Sequence, residues 1–586
     1  MKYFSNHEIS KILREIAAAY SVKNEPIFKI RAYENAADSI ENASVEIRDL
    51  WETDDLASIP GVGKTLEGHL NELFKTGKVK HFNEVKKSMP EGMFELLNIN
   101  GLGPKSAFKL ASSLGIKSIK ELEEVAKTGI IKKIPTFGEK SEQEILSAIE
   151  EYKGKSNRYL LPFIFTVSQR IISYMKQIKE CEEVEPLGSL RRMVATVGDI
   201  DIGVASSNPK EVISHFTKFP EISRILAAGS TAASAILNNG VQVDIKVQPK
   251  EAFGALLQHF TGSKNHNIKL RELALSQGMS LSEYGIKENS KLLKFSSETD
   301  FYKYIGLEYI EPELRENSGE IEAALRSAQG KPNGLPKLVK LEELKGDLHL
   351  HSSYPIEPSH DLGVNDFSEI IKKAKELNYE YIGFSDHSPG FSTHTKKNII
   401  ELIKKRKSVI EQIKDSDKSI RILNLLEIDI LSNGELSVPL EGLKLLDGAI
   451  AGIHSSHKQN KKEITKRLLT ACNSKYVKII SHPTGRLLEK RESYEADWNV
   501  VFKECLKTGT ILEINAWPTR LDLPDTLVRK AVDLGIKLII NSDAHEISQM
   551  DHMKFGVAVA RRGWATRKDI VNTMPWLEFS RYIGVS

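Results

Sequence analysis

The stretch Gly188 to Ile202, GSLRRMVATVGDIDI, carries the densest chemistry in the chain. Asp199 and Asp201 stand two apart, and on a strand over Val197 to Val204 both carboxylates point to one face. Like charges on one face repel, and the arrangement suits one or two Mg²⁺ ions, hard cations that take oxygen ligands and substrate phosphates. Gly188, Ser189, Arg191 and Arg192 stand just ahead; a tight turn with a hydroxyl and guanidinium groups can hold a polyphosphate. A third carboxylate, Asp244, follows in VQVDIKV, again in a β-branched strand pattern. An Asp-x-Asp pair alone is more often a solvated strand end. With the Gly-Ser-x-Arg-Arg prefix and Asp244, it describes a two-metal nucleotidyl-transfer site.

A second chemical pattern fills the C-terminal part, where short apolar strands alternate with amphipathic helices in the manner of parallel βα units. Seven strands can be read, and most end in a side chain able to bind a metal. DLHLH brings His349 and His351, YIGFSDH brings His387, LNLLEIDI brings Glu427 and GAIAGIH brings His454. VKIISHP brings His482, TILEINA brings Glu513, and KLIINSDAH brings Asp543 and His545. One His at a strand end is most often a surface or hydrogen-bonded residue, but repetition over consecutive strands points to a metal centre at a barrel mouth.

Elements that would position these residues begin with a helical N-terminal third. SIPGVGKTLEGHL and NINGLGPKSAFKL share an apolar-x-Gly-apolar-Gly pattern before a helix: Gly61, Gly63 and Lys64, then Gly101, Gly103 and Lys105. KIPTFGEKSEQEIL reads as a degraded third copy around Gly138. Paired glycines let the backbone approach closely, and N–H groups at a helix start form an anion site. Such motifs resemble helix-hairpin-helix units, which grip DNA phosphates without reading bases. Lys29, Arg31 and Tyr33 could add a basic and aromatic grip on a DNA end, or Tyr33 could belong to a core.

With 586 residues, 40% hydrophobic and 27% charged, the chain is large enough for several globular domains. A net charge of +3 does not by itself argue for nucleic acid, so that case rests on local Lys and Arg placement. No apolar run spans a membrane, and the N-terminus has no signal core. Cys181, Cys472 and Cys505 lie far apart and form no disulfide framework or zinc motif, which predicts a reducing cytoplasm.

From its start to about Ala324 the chain resembles the family X DNA polymerases, the group that includes DNA polymerase beta. The resemblance rests on the hairpin motifs, GSLRRMVATVGDIDI, VDIKV and FTGSKNHN in that order. It implies that Asp199 and Asp201 bind both metals, Mg²⁺ or Mn²⁺, and that Asp244 binds the catalytic one and helps activate the primer 3′-hydroxyl. Ser189 and Arg192 would hold the incoming triphosphate, with Gly188 and Gly198 beside it. Phe260, Thr261 and Gly262 would recognise the sugar, Asn267 would face the base, and Arg271 the template strand. His259 replaces a Tyr of better-known members, and His69 stands where lyase-active members carry a Schiff-base Lys. A His forms no stable imine with a sugar aldehyde, which places 5′-deoxyribose-phosphate lyase activity in doubt.

The C-terminal part resembles the PHP (polymerase and histidinol phosphatase) domain, a distorted (β/α)7 barrel with a three-metal phosphoesterase centre of Mn²⁺ or Zn²⁺. His349, His351, His387, Glu427, His454, His482, Asp543 and His545 match eight of its nine ligands. At the ninth position stands Ile356, and Glu357, His360 or Asp361 are candidates to replace it from a longer loop.

The expectation is a multidomain protein with a helix-hairpin-helix N-terminal region, an α/β nucleotidyltransferase palm and a C-terminal barrel. Boundaries are expected at 1–85, 86–155, 156–250, 251–326, a linker at 327–341, and 342–586. The layout is that of bacterial and archaeal family X polymerases and implies gap filling in base-excision or end-joining repair, with 3′→5′ trimming by the barrel. Gapped or primer-template DNA and dNTPs are the expected partners, for a monomer in the cytoplasm and associated with the nucleoid. Two rival readings are a non-templated nucleotidyltransferase and a DNA-binding scaffold with an inactive barrel.

Overall fold

A computed structural model of the chain describes residues 4, 6–41, 47–52, 55–59, 61–99, 101–154, 158–488 and 490–585. The boundary expected at 155/156 lies outside these residues. The N-terminal third is helical, as its apolar spacing requires. Helices Asn6–Val22, Ile27–Glu41, Lys64–Thr76 and Lys80–Lys87 enclose one core containing Ile9, Leu13, Ile16, Leu70 and Phe82. Helices Pro104–Leu114, Ile119–Lys127 and Glu139–Gly154 enclose a second around Met93, Leu110, Leu122 and Ile149. Each hairpin is thus set by its own core, in which a fully buried Leu or Ile contributes about 1.5–3 kcal/mol.

A five-stranded mixed sheet follows. Its strands in chain order are β1 (Glu183–Pro186), β2 (Ile200–Ala205), β3 (Ile222–Ala228), β4 (Ala232–Leu237) and β5 (Gln242–Gln248), and their spatial order is β1-β2-β5-β4-β3. β2 and β5 run parallel with Asp201 opposite Asp244. Ile200, Ile202 and Val204 of β2, with Val243, Ile245 and Val247 of β5, pack under helices Leu161–Met175 and Pro209–Phe216. Period-two alternation therefore turns the two aspartates to the other face.

One expectation needs correction here. The continuous strand over Val197 to Val204 is broken: Thr196–Val197 pairs with Tyr159–Leu160 in a separate ribbon, and the chain bends at Gly198 and Asp199 before β2 begins. Helix Leu161–Met175 is followed by the edge strand β1 before the Gly188 turn. The segment expected as a linker, 327–341, packs on its neighbours. Its first residues end helix Glu320–Ala328, Leu335 N–H donates to Ser327 Oγ at 2.7 Å, and Val339 N–H donates to Ala565 O at 3.0 Å. Leu338 and Val339 are buried, so apolar burial straps this segment to the C-terminal domain.

The C-terminal domain is a nearly closed barrel of seven parallel strands in chain order: β6 (Gly346–Leu350), β7 (Tyr381–Phe384), β8 (Arg421–Asp429), β9 (Gly448–Gly452), β10 (Val477–Ile480), β11 (Ile511–Asn515) and β12 (Leu538–Asn541). A parallel bridge between Leu350 and Ala544 brings the last strand's end to the first. Leu425, Ile450, Ile479, Ile511 and Ile539 fill the lower interior with Phe579 of the final helix, Trp576–Ile583. Glu427 and Glu513 sit two residues beyond Leu425 and Ile511, so alternation sends them to the same interior one layer higher. Cys181, Cys472 and Cys505 are free thiols, although folding brings the last two sulfurs to 3.9 Å. Among the described residues no helix is long and apolar enough to cross a membrane.

Candidate active sites

On the mixed sheet, three carboxylates crowd one end. Burial, then the charges of Asp199 and Asp244, push the Asp201 carboxyl well above its usual range, with Lys246 and Arg192 opposing. Such crowding is the electrostatic condition that a divalent cation relieves. Gly188 has φ +57°, and a Cβ there would lie 2.7 Å from Asp201 Oδ2. Glycine is therefore what lets the Gly188–Arg191 turn close against the acidic strand, with Leu187 N–H donating to Asp201 O at 2.8 Å. Gln242 Nε2 donates to Asp244 Oδ2 at 2.9 Å; its position two residues before Asp244 was the signal for it.

Both arginines of the turn pair with a glutamate and with Thr261. Arg191 donates to Thr261 Oγ1 and to Glu298 Oε2, each at 2.6 Å, so its charge is committed within the fold. Arg192 donates from Nε to Glu316 Oε1 at 2.9 Å and from Nη1 to Thr261 O at 2.5 Å. Phe260 lies under Lys246, whose Nζ is 4.4 Å from the ring centre. Gly262 stands against Arg192, and Ser263 caps helix Lys264–Ser276. Asn267 donates to His259 O at 2.7 Å and accepts from Gln258 Nε2 at 2.9 Å. His259 is buried; burial first, then Arg271 and Lys246, hold it neutral by lowering its pKa well below the usual value.

At the hairpins, Gly61 and Gly101 take φ +83° and +82°, and Gly63 and Gly103 cap helices Lys64–Thr76 and Pro104–Leu114 without a side-chain bond. Among the described residues nothing lies within 4 Å of a Cβ placed at Gly63, Gly101 or Gly103, which leaves the backbone there open to a ligand. Lys64 and Lys105 are exposed beside these turns, with Lys105 Nζ donating to Asn24 Oδ1. The third copy keeps the turn with Thr136 in the left-handed position at φ +79°. The stacking half of the Lys29, Arg31 and Tyr33 grip is overturned: Tyr33 is 4% exposed and its hydroxyl meets His69 Nδ1 at 3.1 Å. Burial, then His81, lowers the pKa of His69.

At the barrel mouth all eight expected side chains converge. Glu427 is the hub: Oε1 lies 3.2 Å from His454 Nε2 and 2.9 Å from His482 Nε2, and Oε2 lies 3.2 Å from His349 Nε2 and 3.1 Å from His387 Nδ1. Asp543 Oδ1 lies 3.4 Å from His349 Nε2 and 3.2 Å from His351 Nε2. His482 and Asp543 hold left-handed backbone at φ +27° and +56°, strain of the kind stored at functional sites. Buried ring nitrogens of His349, His351, His387, His482 and His545 have no hydrogen-bond partner. Burial, with neighbouring His545 and His387, drops His351 to about 3, and burial with Arg520 drops His482 to about 4, so both are neutral imidazoles. Unpartnered ring nitrogens gathered around carboxylates, with His351 and His482 neutral, fit divalent cations.

The structure places the three candidates for the ninth position differently. Ile356 is fully buried in the core. The loop continues to Asp361, whose oxygens lie 3.4 Å from His387 Nε2 and 3.4 Å from His545 Nε2. Gly363 makes this possible, since a Cβ there would meet His351 O at 2.0 Å. Glu357 instead pairs with His394 at 2.7 Å, whereas His360, 3.1 Å from Asp429, forms with Asp429 and His454 a further group that could hold a metal ion. Two carboxylates act behind the histidines: Asp429 lies 2.6 Å from His454 Nδ1 and Glu513 lies 2.7 Å from His349 Nδ1, contacts that fix ring orientation. Arg491, Arg520, His457 and Trp517 line the same cavity, of about 290 Å³.

Three family models match the chain: a helix-hairpin-helix domain over residues 4–79, a SAM-like helix-hairpin-helix tandem over 93–151, and the DNA polymerase beta thumb over 256–316. A Bacillus subtilis protein named DNA polymerase/3'-5' exonuclease PolX is 35% identical over 569 residues, covering 96% of this chain and 97% of its own. DNA polymerase lambda from Rattus norvegicus is 24% identical over 349 residues, 53% of this chain and 56% of its own. The enzyme of that name from Arabidopsis thaliana is also 24% identical over 349 residues, 53% and 62%.

Proposed function

Since the chain belongs to the PolX-type family X DNA polymerases, acting as a DNA polymerase with 3′→5′ exonuclease activity, we propose that its two acidic centres divide these reactions between them. Asp199, Asp201 and Asp244 serve nucleotide addition. They would hold Mg²⁺ or Mn²⁺, which when bound offsets triphosphate charge and favours ionisation of the primer hydroxyl. Gly188 brings the Ser189 turn against these acids, and Ser189 and Arg192 bind the triphosphate. Phe260, Thr261 and Gly262 bound the sugar, with neutral His259 behind them.

The barrel mouth, read as a PHP centre, serves 3′ trimming. Its eight histidines and carboxylates, with Asp361, would hold Mn²⁺ or Zn²⁺, which when bound activates water against a terminal phosphodiester. Arg491 and Arg520 on the open wall neutralise the phosphate, and Trp517 offers a face to the terminal base. The observation that carries this reading is the convergence of orphaned ring nitrogens on Glu427 and Asp543. It also argues against an inactive barrel. Asp361→Ala is expected to lower bound divalent metal by about one ion per chain and trimming by roughly 10–100-fold. Metal analysis alongside a 3′-labelled DNA assay checks it.

The N-terminal hairpins hold DNA around a short gap by backbone N–H contacts, for base-excision or end-joining repair. A monomer in the cytoplasm, near the nucleoid, belongs to the same proposal. Extension of a primer facing a short gap, compared with an open template, tests it: filling of the gap is expected to be faster. Gly101→Val is expected to weaken DNA binding at every sequence alike, because φ +82° excludes a β-branched residue and the lost contacts are to phosphate. Binding titrations on unrelated duplexes check it, and a sequence-selective loss contradicts the backbone grip.

A further inference from the structure

Arg192, assigned above to the triphosphate, does not reach its position through polymerase residues alone. Its Nε donates to Glu316 Oε1 at 2.9 Å. The same oxygen accepts at 2.9 Å from Nη1 of Arg562, the last residue of the barrel helix Met553–Arg562. That Nη1 also donates to the main-chain oxygen of Arg192 at 2.9 Å. On its other side Arg562 is held by Asp525 Oδ2, 2.7 Å from Nε and 2.7 Å from Nη2. One guanidinium from the exonuclease domain therefore touches both the backbone of Arg192 and the carboxylate that aims its side chain.

We propose that Arg562 is a positioning residue for nucleotide binding, holding Arg192 of the polymerase site through Glu316 from the exonuclease domain. The idea rests on the reading of Arg192 as a triphosphate ligand. Three features carry it beyond a simple domain clasp. The side chains of Arg562 and Arg192 are only 9% and 13% exposed, so their geometry is fixed by neighbours and little screened by water. Two guanidiniums sharing one carboxylate oxygen would repel, and Asp525 supplies the second negative charge that closes the set. The surrounding contacts make the helix a rigid base: Arg561 Nε donates to Glu313 Oε1 at 2.7 Å, and Phe555 meets Phe165 edge-on at 5.7 Å. Consecutive arginines at a helix end ordinarily complement the helix dipole; here both reach across to polymerase-side residues.

The test is single-nucleotide insertion on gapped DNA by the full chain, in the wild type, Arg192→Ala, Arg562→Met and the double variant. Arg562→Met is expected to raise the dNTP KM about tenfold with kcat changed less than about twofold, an ordinary size for coupling between sites. Arg562→Lys, which keeps the charge and one donor, recovers part of the loss. In the Arg192→Ala background Arg562→Met adds less than about twofold, because the two act through one contact. The exonuclease rate stays at its wild-type value, which a loosened domain interface would not allow. If Arg192→Ala itself leaves KM unchanged, the assignment of Arg192 fails. If Arg192→Ala raises KM while Arg562→Met does not, or the two effects multiply in the double variant, the positioning role is overturned. Should Arg562→Met fail to fold, Glu316→Gln carries the same expectation, and an unchanged KM there overturns the proposal equally.

Discussion

Asp201→Ala is expected to lower nucleotide addition by roughly 10³-fold or more, while DNA binding and 3′ trimming stay near wild type. The size of the effect follows from where Asp201 sits. It faces Asp244 in register on the parallel strand pair, and Asp199 stands at the bend just before it. Burial and these two charges raise its pKa, so in the protein alone the carboxylate is costly and is stabilised when a cation binds. Alanine removes the ligand without filling space that the apolar face needs, because Ile200 and Ile202 on the opposite face carry the packing. Single-turnover insertion and DNA-binding titrations measure the two properties separately. Insertion within about tenfold of wild type would mean that the metals are held elsewhere.

Glu427→Ala is expected to have the corresponding effect at the barrel mouth, with trimming lost by roughly 10³-fold and extension unchanged. The two Glu427 oxygens lie within 3.2 Å of four histidines, His349, His387, His454 and His482. The histidines in turn hold the Glu427 carboxylate well below its usual pKa against the opposing effect of burial. Without it the rings of His349 and His454 keep their contacts to Glu513 and Asp429, so the fold survives while the centre of the metal cluster is gone. Metal content and release of 3′ nucleotides check this together. Full metal content with normal trimming would contradict the hub role.

The convergence at the barrel mouth was legible because most of its strands are short apolar runs that end in a candidate metal ligand, so period-two alternation and order along the chain carry the information. Glu427 follows from Leu425, and Glu513 from Ile511, by parity alone. Asp361 was legible only as one of three loop candidates, because a loop has no period; its place depends on the close pass of Gly363 beneath His351. The break at Gly198 was hidden for a related reason. β-branched residues continue on both sides of it, and only the pairing of Val197 with Tyr159 reveals two separate strands. The hairpin of β3 and β4 and the edge strand β1 were missed because pairing partners, not local composition, hold them in the sheet. The hairpin glycines were legible in spacing, and the third copy shows the limit of that signal, with Thr136 in a position where glycine is easier. Arg562 lies 370 residues from Arg192, so only folding could bring them together.

The most direct measurement is one assay on a gapped duplex with labelled primer, run with and without dNTPs, on the wild type, Asp201→Ala and His349→Ala. The account predicts that the wild type lengthens the primer with nucleotides and shortens it without them. Asp201→Ala should only shorten it, and His349→Ala should only lengthen it. Loss of both reactions from either substitution, or shortening that persists in His349→Ala, would contradict the division of synthesis and trimming between the two centres.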